Sequence, residues 1–257
     1  MDLTDEQWKA IESVFPEEER NRTGPQGGRP YRDPRDVLNG VLWVLRTGAP
    51  WADMPARYPP YQTCHRRYQR WVEDGTLHRL LTVIAEDLRD RGKVDLTEAY
   101  IDGSHAGAKR GALMLGSPRR GKATKIMAVA DRHGLPVAVW VASGERAECQ
   151  LVVDTLDARF IEEAPQKLIG DKAYDSDALD AQLDRELGTE LIAPNRAKRR
   201  KTQDGRQLRR YRRRWKIERL FAWLMRFRRI VTRWECKSEN FLGFVQLACL
   251  VILLRRL

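Results

Sequence analysis

Three carboxylates draw attention for what they could do together: Asp102, Asp171 and Glu218. Asp102 closes the apolar stretch Ala99-Tyr100-Ile101, and Asp171 closes Lys167-Leu168-Ile169-Gly170. Glu218 is the one acid among twelve Lys and Arg between Arg206 and Trp234. Carboxylate oxygens are hard donors, and a hard ion such as Mg2+ shares the rest of its shell with water and substrate phosphates. Two such ions about 4 Å apart can activate an attacking oxygen and stabilise a leaving one during phosphodiester displacement. Two Asp on neighbouring strands and one acid on a packed helix could form that clamp, with arginines holding the phosphate backbone. Each feature also has a plainer reading. Asp102-Gly103 could be a tight turn, Asp175 and Asp177 first-turn helix acids, and Glu218 a solvated acid in i,i+4 pairs worth about 0.2–0.5 kcal/mol each.

Other chemistries fit less well. Gly116 to Lys122 has Walker A spacing, but the position that needs a hydroxyl for Mg2+ is Ala123, and a strand rather than a helix is expected to follow. Arg119, Arg120 and Lys122 read instead as phosphate contacts. Ser104 and His105 are neighbours that would point apart on a strand, and no Gly-x-Ser-x-Gly occurs. The four His and four Cys have no zinc spacing. Cys64, Cys149, Cys236 and Cys249 read as reduced, mostly buried thiols.

The elements that must position the acids follow from periodicity. Leu208 to Trp234 contains no Pro or Gly, and Ile217, Leu220, Leu224, Phe227, Val231 and Trp234 step by three and four, which predicts one continuous helix with a core stripe. Ala99–Asp102 reads as a short strand and 103–123 as a basic flexible loop. Ile126–Ala130 and Pro136–Ala142 read as a hairpin around Asp131-Arg132-His133-Gly134. A helix over Glu148–Phe160, a strand over Lys167–Asp171, a helix capped by Asp175 or Ser176 and a strand over Glu190–Ala193 complete a mixed-sheet α/β unit.

Before it, Thr4 and Gln7 form a capping box with Leu3 able to staple onto Trp8. A mobile connector is expected over Pro16–Pro34, and Asp33-Pro34 start a second helix that stops at Gly48. Helices over Tyr61–Glu73 and Leu77–Asp90 follow, the former carrying Arg66, Arg67 and Arg70. This predicts a helical, helix-turn-helix-like DNA-binding unit over 1–92 and an α/β domain over 93–257.

The net charge of +11 is uneven: from Arg196 onward there are twenty Lys or Arg and four acids, so the first 195 residues carry −5. That block points to a polyanion, nucleic acid before a membrane surface. Met1 to Trp8 is not a secretory signal, and the apolar run Phe241–Leu254 is too short to span a bilayer, so a cytoplasmic protein with a C-terminal core helix is expected.

Several stretches together resemble one family. Tyr-Ile-Asp102-Gly-Ser, Thr124-Lys125-Ile126, Gly170-Asp171-Lys-Ala-Tyr-Asp-Ser-Asp, and Ile217-Glu218-Arg219-Leu-Phe-Ala-Trp-Leu look like bacterial insertion-sequence transposases of the DDE type, in particular the insertion-sequence-five family. The opening Leu-Thr-Asp-Glu-Gln-Trp and Arg46-Thr-Gly-Ala-Pro-Trp51 extend the resemblance over essentially the whole chain. It implies a ribonuclease-H-like catalytic core and a metal-bound triad falling on Asp102, Asp171 and Glu218, spaced by 69 and 47 residues. It implies two Mg2+ ions per active site, with Mn2+ as substitute, and double-stranded DNA as partner, both transposon ends and target. It also implies a homodimer in the synaptic complex, no membrane role and a place at the bacterial nucleoid. Around the Glu, the family pattern of Tyr, Arg, Glu and Lys is met by Tyr211, Arg214 and Glu218, while the Lys position is Met225 with Arg226 one step on. Thr124-Lys125-Ile126, commonly followed by His in relatives, is followed by Met127. Tyr211, Arg214, Arg226 and Lys172 join Arg66, Arg67, Arg70, Arg119, Arg120 and Lys122 as expected DNA contacts. A nuclease of the same fold without strand transfer, or a repurposed non-catalytic DNA-binding protein, is the alternative.

Overall fold

Local capping signals set the first helices where the sequence places them. In the computed structural model, which describes residues 2–15, 31–109, 123–196 and 208–257, Thr4 caps α1 (Asp5–Lys9). The Gln7 N–H donates to Thr4 Oγ1 and the Thr4 N–H to Gln7 Oε1, both at 3.2 Å. Asp33 caps α2 (Pro34–Thr47), accepting from the Arg35 N–H at 2.6 Å, and Gly48 ends it in the left-handed region at φ 69°. Helices α3 (Tyr61–Glu73) and α4 (Thr76–Asp90) follow, separated by a turn at Gly75. Residues 16–30 of the expected connector lie outside the described residues.

The sheet begins with β1 (Ala99–Ala108), β2 (Ala123–Ala130) and β3 (Pro136–Ser143). A 3-10 turn over Glu148–Leu151 leads into α5 (Val152–Asp157), then β4 (Lys167–Ile169), α6 (Asp177–Leu187) capped by Ser176, and β5 (Glu190–Ile192). The strands run in the order β3-β2-β1-β4-β5. β2 is antiparallel to both neighbours, and β4 and β5 run parallel to β1 and to each other. This is a mixed-sheet α/β arrangement behind a helical N-terminal region.

Two expectations are overturned. First, Gly103–Ala108 continue β1 instead of opening a loop, so Asp102 lies inside the strand. The residues are small, but β2 supplies a full antiparallel ladder from Tyr100↔Ala130 to Gly107↔Ala123, and paired backbone groups outweigh weak strand propensity. Second, Leu208–Trp234 is not one helix. A 3-10 turn over Leu208–Arg213 precedes α7 (Trp215–Leu224) and α8 (Arg228–Val231), and the chain then extends as β6 (Thr232–Arg233) before α9 (Ser238–Leu254).

The break comes from tertiary partners. β6 pairs parallel with Gly107 and Ala108 of β1, and the fully buried Arg233 donates to Thr124 Oγ1 (2.9 Å), Glu235 O (2.9 Å) and Cys236 O (2.7 Å). With the helical phase lost at Phe227, Val231 and Trp234 leave the core stripe and are 47% and 53% exposed, while Ile217, Leu220, Leu224 and Phe227 remain buried.

The core is continuous from end to end. α7 packs on β1 and β2, while α9 packs on β3 and also on α2, α3 and α4. Gly243 permits that close approach: a Cβ there would lie 2.6 Å from Val72 Cγ2 and 2.8 Å from the Tyr68 hydroxyl. Tyr68 stacks on Phe244 with centroids 4.5 Å apart and donates its hydroxyl to the Asn240 carbonyl. Among the described residues no helix is long and apolar enough to cross a membrane; Cys64 and Cys249 are buried and Cys236 is exposed.

Candidate active site

The 69-residue spacing between Asp102 and Asp171 acquires a structural meaning. β1 and β4 pair in parallel with Ala99 opposite Leu168 and Tyr100 opposite Ile169, an offset of 69. The ladder stops there, but the same offset carried two residues further leads to Asp102 and Asp171, which are near enough to interact electrostatically. β2 occupies one edge of β1, so β4 and β6 share the other, β4 at its start and β6 at its end. Asp102 falls in the interval between them. Asp171 turns the chain out of β4 by accepting the Ala173 N–H at 2.6 Å.

Glu218 comes to Asp102 through an arginine. Arg214 Nη1 donates to Asp102 Oδ2 at 3.1 Å and Nη2 to Glu218 Oε1 at 3.4 Å, so one guanidinium joins the strand acid to the helix acid. The Arg214 side chain is mostly buried, whereas that of Glu218 is 60% exposed. The i,i+4 pair of the plainer reading is therefore present, and the same arginine ties it to Asp102. Tyr211 lies 5.7 Å from the Arg214 guanidinium across its ring.

Burial pushes the Asp102 carboxyl up to about 6; the Glu148 and Asp171 carboxylates add to the rise, against Arg214 and the Gly103 N–H that donates to Asp102 Oδ1 at 2.9 Å. Glu148 was not anticipated. It begins the 3-10 turn before α5, a position with no local signal for chemistry, and its carboxylate reaches back to the Asp102–Asp171 pair.

Among the other expected contacts, Lys172 is exposed next to Asp171, and Arg226 is exposed just past the end of α7. Met225, at the position where the family pattern has Lys, is partly buried against the core, and Met127 is fully buried opposite Gly103. Arg119, Arg120 and Lys122, with the Walker-like stretch, lie outside the described residues.

Arg66, Arg67 and Arg70 stand elsewhere, on α3, where they line a hollow of about 430 Å³ with Tyr31, Arg32 and Thr63. Arg67 is buried between the Tyr31 and Trp71 rings, 5.3 and 5.7 Å from their centroids, while Arg66 and Arg70 are exposed.

A family model described as "Transposase DDE domain" matches residues 90–253. The chain belongs to the DDE transposases. A second model, "Putative transposase of IS4/5 family", matches residues 3–81. The chain is 35% identical over 133 residues to a putative transposase for insertion sequence element IS6501 of Brucella ovis, covering 51% of this chain and 98% of that one. It is also 35% identical over 85 residues to the uncharacterized protein y4sN of Sinorhizobium fredii, covering 33% of this chain and 64% of that one. Among solved structures, it is similar to a piggyBac transposase synaptic complex with hairpin DNA at 12% identity and a TM-score of 0.39, covering 77% of this chain and 50% of that one. The chain thus spans less than two thirds of the y4sN protein and half of the piggyBac chain.

Membership of this family implies a divalent metal. Among the described residues no three His, Cys, Asp or Glu side chains stand close enough together to hold one ion. Glu218 is linked to Asp102 through Arg214. The donor chemistry nevertheless suits a hard cation: the acids offer only carboxylate oxygens, and the repulsion that Glu148 and Asp171 exert on Asp102 is of the kind a divalent ion offsets.

Proposed function

We propose that this transposase binds the terminal inverted repeats of its own insertion sequence, cleaves DNA at the element ends and joins the freed ends to target DNA. The observation that supports the reading is the parallel register of β1 and β4, whose 69-residue offset equals that of Asp102 and Asp171, together with Arg214, which hydrogen-bonds both Asp102 and Glu218. In the first step, the oxygen of water forms a bond to phosphorus as the bond to the 3′ oxygen breaks, and that oxygen leaves with a proton as a 3′-hydroxyl. In the second, the 3′-hydroxyl attacks a target phosphodiester, and the displaced target oxygen takes the proton.

Asp102, Asp171 and Glu218 would hold two Mg2+ ions, for which Mn2+ would substitute. Bound there, the ions would lower the cost of charge on the attacking and leaving oxygens. Arg214, Tyr211, Lys172 and Arg226 would contact the phosphate backbone near the cleavage point, and Arg119, Arg120 and Lys122 would add to that surface. Residues 1–92, with the arginine-lined hollow on α3, would grip the terminal repeat, and residues 93–257 would carry the chemistry. Two copies of the chain would pair the two ends.

The test uses the full chain and duplexes carrying the sequences that flank its own gene, with Mg2+, with Mn2+ and with EDTA. Asp102→Asn, Asp171→Asn and Glu218→Gln should each abolish cleavage while DNA binding persists, and products joined to a target plasmid should appear only with the unsubstituted protein. Cleavage by the Glu218→Gln protein at a rate comparable to the parent would remove Glu218 from the reading. Cleavage without joined products would leave a nuclease.

A further inference from the structure

Lys125 and Tyr174 belong to the stretches that mark the family resemblance, yet neither is needed by the chemistry above. Both meet at Glu148. Tyr174 is fully buried and donates its hydroxyl to Glu148 Oε2 at 2.8 Å. Lys125 Nζ, also buried, lies 3.7 Å from Glu148 Oε1 and donates to the Arg146 carbonyl at 2.7 Å. Each carboxylate oxygen therefore faces a donor.

Two glycines show what this unit presses against. A Cβ on Gly103 would lie 2.8 Å from Glu148 Cδ and Oε1, so the carboxylate rests on the backbone immediately after Asp102. A Cβ on Gly170 would lie 2.6 Å from the Tyr174 ring, so the ring rests on the backbone immediately before Asp171. The hydrogen bond between Tyr174 and Glu148 thus closes a strut from one aspartate's strand to the other's. The β1–β4 ladder ends at Tyr100↔Ile169, before either acid, and the ladder itself does not hold the two segments together at their level.

We infer that Glu148 is a positioning residue which, through Tyr174 and anchored by Lys125, sets the separation of Asp102 and Asp171 and so the affinity of the site for divalent cations. The inference rests on Asp102 and Asp171 being metal ligands, as proposed above. Groups that orient ligands without touching the metal commonly matter about 10–100-fold in metal affinity.

The experiment is a Mn2+ titration of the full chain, free Mn2+ being read by its electron paramagnetic resonance signal. The proteins are the parent, Glu148→Ala, Glu148→Gln, Tyr174→Phe and Asp102→Asn, with cooperative thermal unfolding and metal-free DNA binding recorded for each. Glu148→Ala and Tyr174→Phe should weaken Mn2+ binding by about 10–100-fold with DNA binding retained. Glu148→Gln should recover part of the loss, because its amide oxygen still accepts from Tyr174. The Glu148→Ala, Tyr174→Phe double variant should be no worse than Glu148→Ala alone, since both remove one strut.

Parent-like Mn2+ binding by Glu148→Ala, with Asp102→Asn impaired, overturns the inference and leaves the ligand assignment standing. Parent-like binding by Asp102→Asn overturns the ligand assignment itself, and the inference with it. Loss in Glu148→Ala with Tyr174→Phe unchanged would make Glu148 a direct ligand and overturn the strut. If Glu148→Ala does not fold, Tyr174→Phe, which removes a single hydroxyl, decides.

Discussion

Arg214 holds two carboxylates that belong to different elements, Asp102 of β1 and Glu218 of α7. Only a planar fork of donors can address both at once; a lysine ammonium on a flexible stem is a point charge. Hydrogen bonds to charged groups contribute about 1.5–3 kcal/mol. If that holding persists in the reacting complex, Arg214→Lys should slow DNA cleavage about tenfold to a hundredfold, measured in single-turnover assays. Gly103 offers a second residue-scale test. A methyl group there would meet the Glu148 carboxylate at 2.8 Å and Met127 Sδ at 3.1 Å. Gly103→Ala should therefore cost about 1–3 kcal/mol of stability in urea unfolding, the range for overpacking a closed site.

Two elements near the C-terminus join the helical region to the sheet. α9 lies against α3 and α4 through Gly243, where alanine would improve helix propensity by about 1 kcal/mol. The same methyl group would strike Val72 Cγ2 at 2.6 Å and Leu77 Cδ1 at 3.1 Å. Packing should win, and Gly243→Ala should lower the urea midpoint. α8 carries Arg229, whose Nε donates to Glu235 Oε1 at 2.8 Å and Nη1 to the Ala49 carbonyl beyond α2 at 3.2 Å. The two side chains are 8% and 7% exposed, so removing one strands the other's charge in a medium that solvates it poorly. Glu235→Ala should destabilise the protein by about 3–5 kcal/mol, read by denaturant unfolding.

At the scale of the whole molecule, pH and salt act on different groups. Burial lowers the pKa of His78, which stands edge-on to Phe160, and of His65, which packs on Trp51, with Arg229 adding to the depression at His65. Below about pH 6.5 the unfolded chain takes up protons more readily than these half-buried rings, so this contribution to stability is present above that pH and is lost on acidification. Replacing His78 with Gln should flatten the fall of the thermal midpoint between pH 7 and pH 5.5. The charge of the chain is concentrated after residue 195, and the hollow on α3 adds Arg32, Arg66 and Arg70 at a second place. If DNA lies on both, Arg66→Ala and Arg70→Ala should each reduce the slope of log affinity against log salt by about one, with similar loss on any sequence.

What the sequence by itself determined is local. Thr4 with Gln7, Asp33 with Pro34 and Ser176 act within three residues of a helix start, and their geometry follows from nearby backbone donors. The hairpin of β2 and β3 was legible for the same reason. The three acids were legible by type and by their resemblance to a family, and the number 69 was already in the chain. Only the pairing of β1 with β4 made that number a parallel register.

Tertiary structure decided the rest because the deciding partners are far away in sequence. The helix expected through Trp234 yields to β6, since Arg233 finds Thr124 across 109 residues and the chain finds an open edge of β1. β1 continues past Asp102 because β2 supplies its ladder. Glu148 left no sign in its own neighbourhood, because the groups that give it meaning, Tyr174, Lys125 and the backbone at Gly103, are brought to it only when the sheet closes.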